Sequence, residues 1–170
     1  MILMGFCAFF TFISMLMDIK WEKVCNHWIC AGWLAGVDFR LYLESETGWV
    51  HIAADTLFPL LILFPLFIFK MIGTGDIKVF MVTGSVMGIK DNVICIAVSF
   101  VIAAMAAVPI LIFRCDWRER LRYFSTYVRQ VMAAGKAVPY ITPGKHPENI
   151  HFTIPVFLSV VYLFLKKVYL

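Results

Sequence analysis

The sequence predicts an all-α polytopic membrane protein, with about six transmembrane helices and an amphipathic cytoplasmic helix between the fifth and sixth spans. Three observations carry this expectation. Of the 170 residues, 62% are hydrophobic and only 15% charged, whereas soluble domains are roughly 45–50% apolar and about 25% charged. The apolar residues fall into long runs separated by short charged segments. The chain is also too short to hide so much apolar surface from water, so the excess must face lipid. One domain, 1–170, fits this length, with no room for a separate soluble enzyme.

Residues 1–17 are apolar without a break and lack the basic start and small-residue cleavage site of a secretory signal peptide, so they read as an uncleaved first span. A charged segment from Asp18 to Asn26 follows, then a second span from about His27 to Val37 and a polar turn, DFRLYLESETG. The third span runs from about Trp49 to Phe69 and contains Pro59 and Pro65, which neighbouring helices can accommodate inside a membrane. After Gly73-Thr74-Gly75-Asp76-Ile77-Lys78 a short apolar run reaches Ile89. Its dozen or so residues cover roughly 20 Å of a core about 30 Å thick. If it crosses, the glycine motif must lie within the membrane, where irregular backbone is tolerated only against protein or a water-filled cavity. The fifth span covers about Val93 to Phe113 and the sixth about Phe152 to Leu165. Between them Trp117, Leu121, Phe124, Val128 and Val131 recur at helical spacing in an arginine-rich segment, which suits a helix lying in the membrane interface or packed on the bundle end.

Placing the N-terminus outside puts 11 of the 15 lysines and arginines in the loops 18–26, 70–78 and 114–151. The positive-inside rule therefore makes those loops cytoplasmic. The net charge of +4 is explained by this topology, with no aromatic-interleaved basic patch to suggest nucleic acid. The five cysteines are an odd number without a Cys-x-x-Cys pair, and they read as small buried hydrophobes. The four histidines share no ligand spacing, so neither metal nor cofactor is expected.

Two crossings separate Asp18 from Asp76, which places both on the same face. Each opens the same tripeptide, Asp-Ile-Lys, at the junction of an apolar run and a charged one. Asp38, Glu44, Glu46 and Asp91 fall on the opposite face, and Asp55 near the outer end of the third span. Two carboxylates held together in a low-dielectric site cannot both ionise cheaply, so one keeps a proton. Such a dyad can polarise a carbonyl with its acid member and activate water with its base member. Gly73 and Gly75 give the chain freedom to turn sharply and carry Asp76 towards Asp18. Lys20 and Lys78 can anchor at headgroups, hold a carboxylate ionised or meet an acidic substrate residue. Asn26 can orient the first loop or cap the second span.

Gly73-Thr74-Gly75-Asp76 with Lys78 resembles the Gly-x-Gly-Asp-x-Lys motif of the type IV prepilin and preflagellin peptidases. Asp18, followed eight residues later by Asn26, is similar to that family's first motif, with Cys25 where the family usually has proline. Phe152-Thr153-Ile154-Pro155 is similar to the Ile-Pro that often starts its last helix. The resemblance implies a membrane-embedded aspartyl endopeptidase that removes the short basic leader of pilin-like or flagellin-like precursors at the cytoplasmic face. It makes Asp18 and Asp76 the catalytic pair, supported by Gly73, Gly75, Lys78 and Asn26. The implied partners are the bilayer and a precursor with an N-terminal hydrophobic helix. Long members add a methyltransferase region with two Cys-x-x-Cys pairs, so this chain resembles the short, peptidase-only form. The alternatives are a proton- or ion-coupled transporter using the same acids, an inactive assembly partner of a pilus secretion system, and the presenilin type. The last resembles this chain only at Gly-x-Gly-Asp.

Overall fold

The computed structural model describes residues 2–44, 48–69, 71–114, 126 and 151–169. Six helices account for nearly all of them: α1 (Ile2–Trp21), α2 (Asn26–Leu43), α3 (Trp49–Ile68), α4 (Thr74–Met87), α5 (Ile89–Arg114) and α6 (Thr153–Tyr169). There is no strand among the described residues. The proposed amphipathic helix lies outside them. α1, α3 and the stretch Ile89–Val108 of α5 are long and apolar enough to cross a membrane. Of the six expected crossings, three are thus matched among the described residues, while α2, α4 and α6 are shorter or less apolar.

The short α4 sits at the centre of the bundle and packs against α1, α2, α3 and α5. Its buried residues, Ile77, Val79, Phe80, Val82, Thr83, Gly84, Ser85 and Val86, point in all directions around the helix. A helix buried all round needs no lipid-facing side, which is why a 14-residue segment with polar and small residues is stable there. Its hydroxyls are satisfied locally: Thr83 donates to the Phe80 carbonyl and to Asn92 Oδ1, and Ser85 to the Val82 carbonyl. At Gly84 a Cβ would lie 2.5 Å from the Asp55 carbonyl oxygen and 2.6 Å from Asn92 Nδ2, so only glycine lets α3 and α5 come this close.

Polar and aromatic pairs fix the neighbours. Phe10 of α1 stacks on Trp28 of α2 with centroids 5.6 Å apart, and Trp28 Nε1 donates to Ser14. Ser99 of α5 hydrogen-bonds Ser159 of α6 at 2.7 Å, with Cys95 beside them. Such small polar contacts let apolar helices pack closely where hydrophobic burial gives little preference. Cys7 and Cys95 are buried as expected, but Cys25 and Cys30 are exposed at the start of α2. The side of α2 packed into the bundle is that of Ile29, Gly32, Gly36 and Val37. α2 also continues beyond Val37 to Leu43 instead of turning at Asp38, because Arg40 is drawn inward to a buried partner on α3.

Candidate functional site

The C-terminal end of α1 and the N-terminal ends of α4 and α6 meet at one end of the bundle. Asp18 lies one turn before α1 stops, and its carbonyl accepts the Glu22 N–H at 2.8 Å. Glu22 takes a left-handed conformation, φ 53°, which ends the helix as such residues commonly do. The Asp18 side chain turns back into the bundle, where its Oδ2 accepts a hydrogen bond from Thr153 Oγ1 at 2.8 Å. His151 Nδ1 lies 3.2 Å from the same oxygen.

Asp76 stands in the first turn of α4, outside the three spanning candidates. Its carboxyl is pushed up to about 7, first by burial and then by the negative charge of Asp18, with the Gly73 backbone N–H pulling the other way. The structure therefore brings Asp18 and Asp76 within each other's electrostatic reach. Like charges in a partly dry site favour a shared proton, the state a carboxylate dyad needs for acid–base work.

The motif glycines do not act by sharp turning. Gly73 is the N-cap of α4 in extended conformation, φ −75° and ψ 149°, which any residue adopts. Its lack of a side chain instead leaves room for Asp76 Oδ2, which a Cβ there would approach to 3.1 Å. Gly75 has open space around it, and nothing in the structure explains why glycine stands there.

Lys78 and Asn26 are brought together by a 2.8 Å hydrogen bond from Lys78 Nζ to Asn26 Oδ1. Asn26 is thus not the cap of α2; that position is Cys25. With φ −66°, Cys25 has the backbone angle that proline would impose, so its departure from the family pattern leaves the local path unchanged. Lys20 lies over the Trp21 ring, 4.8 Å from its centroid. Neither lysine forms an ion pair with the two aspartates. Asn26 and Lys78 sit at one rim of a groove of about 650 Å³ between α2, α3 and α4, walled by Ile29, Trp33, Leu34 and Met81.

Sequence reasoning missed two groups. His151 and Thr153 were legible only as the start of the last span on the same face as Asp18. At the opposite end of the bundle, Arg40 Nη1 binds Asp55 Oδ2 at 2.6 Å and the Ser85 carbonyl at 2.8 Å. The other Asp55 oxygen accepts the Ile89 N–H, and Arg40 Nε reaches Glu44. This pair straddles the α4–α5 junction, where Gly88 takes φ +81°.

No curated protein and no solved structure matches the chain. The model of the type IV leader peptidase family matches residues 5–108, which include Asp18, Asn26 and the whole Gly73–Lys78 motif but not His151 or Thr153. With more than half of its length matched, the chain belongs to the type IV leader peptidase family.

Proposed function

We propose that this protein is an intramembrane aspartic endopeptidase that removes the leader from type IV pilin-like precursors, with Asp18 and Asp76 as its catalytic pair. The observation that carries the proposal is that both aspartates stand at one end of the bundle within electrostatic reach, with the proton affinity of Asp76 raised by burial and by Asp18. The ionised member takes a proton from water, whose oxygen bonds to the scissile carbonyl carbon. The protonated member gives its proton to the carbonyl oxygen, and a neutral tetrahedral diol results. Return of a proton to the leaving nitrogen breaks the C–N bond and releases the leader and the mature chain. The sequence topology puts the Asp18 end at the cytoplasmic face, where a leader preceding a hydrophobic helix would lie. The groove of Ile29, Trp33, Leu34 and Met81 supports an apolar substrate segment beside α4.

The test is incubation of the purified protein with a candidate precursor and mass spectrometry of the new N-terminus. Asp18→Asn and Asp76→Asn should each reduce cleavage by roughly 10²–10⁴-fold while the protein still inserts. Asp38→Asn, remote from the site, should cleave as wild type does. Full cleavage by either Asn variant at positions 18 or 76 would reject the dyad.

A further inference from the structure

We propose that Thr153 and His151, at the start of α6, are positioning residues that hold the Asp18 carboxylate in one fixed orientation for its part in the dyad. The inference rests on the peptidase reading above and goes beyond it by adding a third strand of the chain to the site, outside the residues that match the family.

The geometry is specific. A threonine at a helix start ordinarily turns its hydroxyl to its own first-turn amides. Here the first turn of α6 is closed by backbone alone, Ile154 N–H to the His151 carbonyl at 3.1 Å and Val156 N–H to the Phe152 carbonyl at 3.2 Å. The Thr153 hydroxyl donates instead to Asp18 Oδ2 on another helix. His151 Nδ1 lies 3.2 Å from the same oxygen, so two side chains of this segment converge on one Asp18 oxygen and fix the plane of its carboxyl group. The α6 helix N-terminus, with its partial positive charge, lies on the same side.

Phe152, between the two donors, holds them in place. Its ring packs against Phe80 of α4 at 6.2 Å and Phe100 of α5 at 5.2 Å. Among the described residues Asp76 has no comparable pair, and its donor is the Gly73 amide. The other ionisable groups at this end, among the described residues, are Lys20, Glu22, Lys23 and His27 around the α1–α2 junction and Lys78 on α4. Lys20 is engaged by Trp21 and Lys78 by Asn26. The tie to Asp18 therefore comes from α6.

The experiment compares full-length wild type, Thr153→Val, Thr153→Ser and His151→Leu in proteoliposomes by two readouts. The first is the rate of precursor cleavage, separated into kcat and KM. Thr153→Val should lower kcat by roughly ten- to a hundredfold, the worth of a hydrogen bond to a charged group, with KM unchanged. His151→Leu should lower kcat in the same way, and Thr153→Ser should restore the wild-type kcat. The second readout is the infrared carboxylate stretch of Asp18, assigned by its loss in Asp18→Asn. It should shift in Thr153→Val and His151→Leu and stay in Thr153→Ser. An unchanged kcat and an unmoved Asp18 band in both donor-deleting variants would overturn the proposal. Wild-type cleavage by Asp18→Asn would instead reject the dyad, and the absence of cleavage by wild type would reject the peptidase reading; in either case the band would still report whether α6 ties Asp18.

Discussion

The two ends of this bundle each carry a partly or wholly buried aspartate cluster, and they treat it in opposite ways. At one end Asp55 meets Arg40, both side chains only 10% exposed, and every neighbour adds a partner: the Ser85 carbonyl, the Ile89 amide and Glu44. At the other end Asp18 meets a second aspartate, and the charge of one raises the proton affinity of the other. Opposite charges with full hydrogen bonding make a lock, whereas a like charge raises the proton affinity of its buried neighbour. Burial alone therefore does not set the behaviour of a carboxylate. The sign of its nearest charge matters as well.

The comparison can be broken at the locked end first. Removing one partner of a buried ion pair leaves the other charge stranded, at a cost of about 3–5 kcal/mol. Arg40→Ala or Asp55→Asn should lower the unfolding midpoint in detergent accordingly, while cleavage per folded molecule falls far less than in Asp18→Asn. Replacing both partners with apolar residues of similar size, as in Arg40→Met with Asp55→Leu, should recover most of the loss. If the single variants are as stable as wild type, the pair is not the lock described here.

The smallest expected effect is at Cys25. Its φ of −66° suits proline, so Cys25→Pro should be tolerated and should stabilise by about 0.4–1 kcal/mol through the unfolded chain. A clear loss of stability or cleavage would mean that the first motif departs from its family in path as well as in residue.

Much of the Asp18–Asp76 end is legible in the sequence. Asp18, Asn26, Asp76 and Lys78 stand at motif spacings, and counting spans puts them on one face; Lys78 and Asn26, 52 residues apart, do meet. The partners supplied by tertiary packing were not legible. His151 lies 133 residues from Asp18, and a histidine at a span boundary looks like any solvated end residue. Arg40 and Asp55 each read as boundary charges, because hydropathy reports the average of a segment and not which side chain is drawn inward. Nor does hydropathy show that the shortest run, α4, is the centre of the molecule. Its Thr83, Gly84 and Ser85 reflect close protein neighbours, which a lipid-based reading counts as weakness. The motif glycines misled in a related way: conformational freedom was inferred, but Gly73 supplies space for a carboxylate.

The raised proton affinity of Asp76 has a defined sign. Because the folded state binds this proton more tightly than the unfolded chain does, stability from this group falls as pH rises from the usual carboxylate value to about 7. Cleavage that needs a protonated Asp76 should fall above the same pH. The most direct test is an infrared titration of the Asp76 carboxyl, assigned by its loss in Asp76→Asn, in wild type and in Asp18→Asn. The midpoint should lie near 7 in wild type. In Asp18→Asn it should drop but stay above that of an ordinary aspartate, since burial is the larger cause. An identical midpoint in both proteins would show that the two carboxylates do not sense each other, and would contradict the dyad.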